Sequence, residues 1–218
     1  MTDTTLKYLI IGHPRCGSGF GSLLLNNMGI KCSHEIEPVG KQALSSWAFL
    51  IEHEENDNIY PRYGLGGSGW RKKYSFKHKI THLRNPFKAF PSIINENDYD
   101  WSFNIRSRYI KKKLNEKVEG NKLEKAIQCY LHWNEIAIRE SELYFKIEMQ
   151  EDFLKLITFF ETRGEKLNNL DFSQLTKVNS KPKEKQTLSL SDFKFVSSDI
   201  KRQLESFCST HGYDYILS

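Results

Sequence analysis

The sequence predicts an α/β fold, and three observations point to it. Short apolar, β-rich runs alternate with stretches of helical periodicity along the chain. A glycine-rich turn follows the first of those runs and opens a helix, and a later run passes directly into Arg84-Asn85-Pro86. With 218 residues and no Pro/Ser-rich linker separating two apolar regions, residues 1–218 read as a single domain with one substantial core.

The elements follow in order. Tyr8 to Ile11 is a strand, too short for a buried helix, and Gly12 and Pro14 mark its end. Phe20 to Asn27 forms a helix ending near Gly29, and Lys31 to Ser33 the next strand. A helix is expected over Gln42 to Ile51. Residues 52–78, with Tyr60, Tyr63 and Trp70, read as a long irregular connection suited to a lid or an acceptor-binding segment. Within it, Gly64-Leu65-Gly66-Gly67-Ser68-Gly69 satisfies the dinucleotide-binding glycine pattern. No apolar strand precedes it and no amphipathic helix follows, so that reading is set aside.

Lys79 to Leu83 is a second buried strand, and Pro86 suits the first turn of the helix after it. Phe103 to Val118 and Lys122 to Arg139 are two helices broken at Gly120-Asn121. In the second, Leu123, Ala126, Ile127, Tyr130, Asn134 and Ala137 recur at helical spacing, which makes Tyr130 a core residue. Leu143 to Ile147 is strand-like, Phe153, Leu156, Ile157 and Phe160 give the following helix an apolar face, and a last helix runs from Ser198 to His211 with Gly212 as its cap.

The turn His13-Pro14-Arg15-Cys16-Gly17-Ser18-Gly19 lets backbone N–H groups approach an anion while the positive end of the next helix faces the same point, so the implied ligand is a phosphate group. A nucleoside triphosphatase loop would end in Lys followed by Ser or Thr, for the phosphates and magnesium. Here Ser18-Gly19-Phe20 stands at that place, and the loop's cation is Arg15, whose guanidinium suits a phosphate-ester oxygen without a metal.

Arg84, at the carboxyl end of its strand, and Ser92, eight residues later, extend the pattern. With these two segments the chain resembles the PAPS-dependent sulfotransferases, which transfer a sulfuryl group from 3′-phosphoadenosine 5′-phosphosulfate and release adenosine 3′,5′-bisphosphate (PAP). The resemblance implies a three-layer α/β/α fold of the P-loop type around a central, mainly parallel sheet. It identifies Pro14, Arg15, Cys16, Gly17, Ser18, Gly19 and Phe20 with the phosphosulfate loop, and Arg84 and Ser92 with the pair holding the 3′-phosphate. Softer likenesses are Cys32-Ser33-His34-Glu35 after the second strand, Ser46-Trp47, and Tyr144-Phe145-Lys146-Ile147-Glu148, from whose continuation Met149 and Gln150 depart. The late nucleotide-closing segment of many eukaryotic members is missing, and the polar stretch Asn179 to Lys185, with Lys181, is the candidate in its place.

In such a transfer Arg15 serves the leaving side, Ser18 and the N–H groups of Gly17 to Phe20 complete the cradle, and Glu35 or His34 takes the proton, with Glu35 favoured. His82, inside a strand, reads as a satisfied core histidine. No metal is expected. A nucleotide-dependent phosphotransferase and a PAPS- or PAP-binding protein without chemistry are the alternatives. The acceptor, whether small molecule, carbohydrate or lipid, and the oligomeric state stay open.

Lys and Arg (32) exceed Asp and Glu (27) by five, which suits an anionic ligand but is too small an excess for a nucleic-acid partner. Cys16, Cys32, Cys129 and Cys208 are dispersed without metal-ligand spacing, which argues against zinc and against a disulfide framework. With no leader-like start and no long apolar run, the expectation is a cytoplasmic enzyme with no membrane span, unlike Golgi-anchored sulfotransferases.

Overall fold

A computed structural model of the chain describes residues 4–51, 73–97, 100–169 and 188–215. They form an α/β fold built on a five-stranded, all-parallel sheet. In chain order the elements are β1 (Thr4–Ile11), α1 (Ser18–Asn27), β2 (Cys32–His34), β3 (Ala43–Ser45), a 3-10 helix (Trp47–Leu50), β4 (Tyr74–Leu83), α2 (Pro86–Asn97), α3 (Asp100–Leu114), α4 (Lys122–Arg139), β5 (Leu143–Lys146), α5 (Gln150–Glu161), a second 3-10 helix (Leu190–Phe195) and α6 (Ser198–His211). The chain divides into two compact units, one of residues 1–83 and 137–181, the other of residues 84–136 and 182–218.

The first unit holds the sheet, in the order β2-β3-β1-β4-β5. β1 is central and pairs with β3 on one side and β4 on the other, Ile10 lying opposite Ser45 and Ile80. Because side chains alternate along a strand, Tyr8 and Ile10 of β1, Ile80 of β4 and Phe145 of β5 share one face. There they pack with Phe20, Leu24 and Leu25 of α1 and with Phe153, Leu156 and Phe160 of α5 in one cluster. Each such side chain contributes on the order of 1.5–3 kcal/mol by leaving water. Leu9, Ile11 and Leu83 point the other way and are equally buried, and on that side the Thr81 hydroxyl donates to the Ala137 carbonyl at 2.9 Å. All five strands run the same way, so the turns after β1, β2, β3, β4 and β5 leave from one edge of the sheet, where open parallel sheets gather their ligand-binding residues.

The second unit contains α2, α3, most of α4 and α6. Its core includes Phe90, Tyr109, Tyr130 and Trp133, and Tyr130 meets Phe90 edge-on at 5.7 Å. α6 is closed by Gly212 in left-handed conformation at φ 64°.

Three elements differ from the sequence expectation, and the helix read over Phe103 to Val118 is one of them, running from Asp100 to Leu114. The apolar run beginning at Gln42 is not a helix: Ala43–Ser45 is inserted as β3 between β1 and β2, fully buried, and only Trp47–Leu50 turns helically. A short apolar stretch without helical length fits both states, and pairing on both sides decided for the strand. β4 also begins earlier than expected, at Tyr74, taking the end of the segment read as irregular. Tyr60, Tyr63, Trp70, the 64–69 glycine run and Lys181 lie outside the described residues.

Candidate functional site

The loop between β1 and α1 opens with a tight turn in which the Cys16 N–H donates to the His13 carbonyl at 3.1 Å. Pro14 presets the second position, and Arg15 occupies the third with φ 70°. This is the pattern of a type II turn, whose third position ordinarily takes Gly or Asn. Holding a long side chain in the left-handed region costs about 1–2 kcal/mol. Strain of that kind is kept where the surroundings require it, typically at a functional site. Gly17 follows at φ 107° and opens α1 as an N-cap without a side chain, and the first turn of the helix carries no acidic residue. The N–H groups at the start of a helix suit an anion, and Arg15, in the loop that leads to α1, is exposed.

Ser18, the first residue of α1, lies with its Oγ 2.9 Å from His34 Nε2 at the end of β2. A Cβ on Gly19 would stand 3.5 Å from the His34 ring, so the imidazole rests directly on the loop. His34 is exposed, but contact with the loop removes part of its water and lowers its pKa, leaving a neutral base near pH 7. The Ser45 hydroxyl, at the end of β3, donates to the Ser18 carbonyl at 2.7 Å and ties the start of α1 to the sheet.

Glu35 stands next in the chain, also in left-handed backbone, at φ 55°. Its carboxylate accepts from the Ser46 hydroxyl at 2.7 Å and from the Trp47 N–H at 3.2 Å. It therefore caps the 3-10 helix, and the two candidate bases of the sequence have different surroundings: His34 faces the loop, while Glu35 is engaged with Ser46 and Trp47.

Not every loop residue presents its side chain. Pro14 and Cys16 are buried, and the Cys16 N–H is used within the turn. Phe20 packs against Phe153 of α5 at 6.1 Å, so only its backbone N–H is available to a ligand. Ile147, after β5, closes the loop from the side: a Cβ on Gly17 would meet its Cδ1 at 2.9 Å.

Beneath the loop lies His82, 1% exposed. It is a core residue, as its place in a strand suggests, but both ring nitrogens are buried without a hydrogen-bond partner among the described residues. Burial, and secondarily the charge of His34, pushes its pKa down to about 4. Sequence reasoning missed the pairing of this ring with Gly12 and the tie made by Ser45. The available signal was a histidine between Ile80 and Leu83 at the end of β4.

In the second unit, Arg84 and Ser92 are both half-buried. Asn85 caps α2, its Oδ1 accepting from the Phe87 N–H at 3.0 Å, and Pro86 takes the first helical position as expected. The Tyr130 hydroxyl donates to the Arg84 carbonyl, which anchors that backbone. Ser92 sits in the second turn of α2.

Among the described residues, no group of three or more His, Cys, Asp and Glu is placed to hold a metal ion, and no helix is long and apolar enough to cross a membrane. The chain matches no family model, no curated protein and no solved structure.

Proposed function

We propose that the chain is a PAPS-dependent sulfotransferase of the P-loop, three-layer α/β/α type, moving a sulfuryl group from PAPS to a hydroxyl or amine acceptor and releasing PAP. The observation that carries this reading is Arg15: an exposed cation kept in left-handed backbone in the loop that leads through Gly17 into the start of α1. A phosphate ester suits such a helix start, and the cation of the loop is a side chain.

In the transfer the acceptor oxygen or nitrogen forms a bond to sulfur as the bond from sulfur to the bridging phosphate oxygen breaks. The electron pair of that bond stays on the phosphate. Arg15 and the N–H groups of the loop neutralise the charge growing there. The acceptor's proton goes to a base at the end of β2. Glu35 is already engaged by Ser46 and Trp47, so this role falls to the neutral imidazole of His34. Arg84 and Ser92 keep the assignment that the resemblance implies, to the 3′-phosphate of the same donor.

Calorimetry tests the reading. The chain should bind PAP without magnesium and prefer it to ATP with magnesium, the reverse preference marking a phosphotransferase. In Arg84→Ala the affinity for PAP should fall at least about tenfold, roughly 1.4 kcal/mol, while that for adenosine 5′-monophosphate hardly changes. Transfer of labelled sulfate from PAPS to any acceptor of a screen separates an enzyme from a protein that only binds the nucleotide.

A further inference from the structure

The Ser18 hydroxyl has one proton, and its oxygen lies 2.9 Å from His34 Nε2, which accepts that proton when the imidazole carries its own on Nδ1. The same hydroxyl stands at the first position of α1, where an anion held by the loop would arrive. One proton cannot serve both acceptors. An anionic phosphate or sulfonate oxygen is the stronger of the two, since charge-assisted hydrogen bonds are shorter and roughly twice as strong as neutral ones.

We infer that Ser18 and His34 form a latch opened by the donor: Ser18 donates to His34 Nε2 while the loop is empty, and a bound phosphate-type anion takes that hydroxyl and leaves Nε2 open to receive the acceptor's proton. Ser18 is thereby a positioning residue for the base as well as a contact to the anion. The proton-accepting nitrogen becomes available only in the loaded enzyme, so productive binding is ordered, donor before acceptor. Three neighbouring positions among the described residues do not compete for this exchange. The Glu35 carboxylate is engaged by Ser46 and Trp47, His82 on β4 is buried and uncharged at neutral pH, and Gly19, having no side chain, lets the His34 ring lie on the loop within reach of Ser18. The inference rests on the sulfotransferase reading for the identity of the donor.

Nitrogen NMR of the full chain with labelled histidine tests it, using PAP and, separately, inorganic pyrophosphate as probes. In the free protein the His34 Nε2 signal should be that of an unprotonated nitrogen accepting a hydrogen bond. Saturation with PAP should move it to the position of an unbonded imidazole nitrogen, while the Gly17 and Gly19 amides report occupancy of the loop. Ser18→Ala should show the unbonded position without ligand and no further movement on binding, and Ser18→Thr should restore the ligand-driven change. The same movement with pyrophosphate supports the latch and places the trigger in the phosphate group itself. If the amides respond to PAP and His34 Nε2 does not, or if Ser18→Ala leaves Nε2 as in the parent chain, the latch is overturned while the donor reading stands. If neither probe moves the amides, the donor reading fails and the latch falls with it.

Discussion

Gly12 and His82 meet where β1 enters the loop: a Cβ on Gly12 would fall 2.7 Å from His82 Cε1 and 2.7 Å from the His82 carbonyl oxygen. The residue after β1 thus lies against both the ring and the backbone of the adjacent strand. The loop is seated on β4 as closely as a polypeptide without a side chain permits.

Gly12→Ala should therefore destabilise the chain by about 1–3 kcal/mol, the usual range for forcing extra volume into a packed site. A side-chain ring can turn aside, but the carbonyl oxygen belongs to a paired strand and does not yield. Urea unfolding reads the loss directly. A Gly12→Ala chain as stable as the parent would show that the loop is not seated on β4 in this way.

The left-handed backbone at Arg15 separates the residue's conformation from its charge. Both Arg15→Gly and Arg15→Ala remove the guanidinium, yet only glycine adopts φ 70° without steric penalty. Arg15→Gly should be the more stable of the two by about 1 kcal/mol, after the unfolded-state entropy that glycine adds. Both should lose transfer to the same extent and more than they lose PAP affinity, because charge on the bridging oxygen grows as the bond breaks. Thermal unfolding and single-turnover kinetics on the pair check the two halves.

Much of the fold and of the loop could be read from residue order, and the reasons are local. Gly17 and Ser18 after a strand, Pro86 after Arg84 and Gly212 after His211 each obey short-range backbone rules, and each stands where those rules place it. What could not be read depends on pairing between distant segments. Ala43 to Ser45 became a strand because β1 and β2 flank it. Glu35 turned to Ser46 because the ends of β2 and β3 lie side by side. The contact of His82 with Gly12 follows from the register that sets Ile11 opposite Thr81, which no window of sequence contains.

His34 and Glu35 are adjacent in the chain, and substitution should tell them apart. His34→Ala should lower turnover by about a hundredfold or more with PAP affinity retained, as loss of a general base requires. Glu35→Gln replaces one accepting oxygen of the carboxylate by an NH2 group facing a donor from Ser46 or Trp47. Its main effect should be on stability, about 1–2 kcal/mol, with turnover reduced less than in His34→Ala. The opposite ranking of turnover would return the base to Glu35.

His82 should make the chain sensitive to mild acid. Its folded pKa of about 4 lies below its ordinary 6.5, so between those values the unfolded chain binds the proton more readily and stability falls as the pH falls. The contribution is fully present above about pH 6.5 and is lost progressively as the pH drops toward 4. Between pH 7 and pH 5 the loss from this one group amounts to about 2 kcal/mol. His82→Leu removes both the titration and the unpartnered ring nitrogens, so at pH 7 it should be close to the parent in stability. At pH 5 it should exceed the parent by about 2 kcal/mol. Urea unfolding of both chains at the two pH values reads the difference, and parallel losses in parent and variant would show that His82 accepts its proton in the folded chain as easily as in the unfolded one.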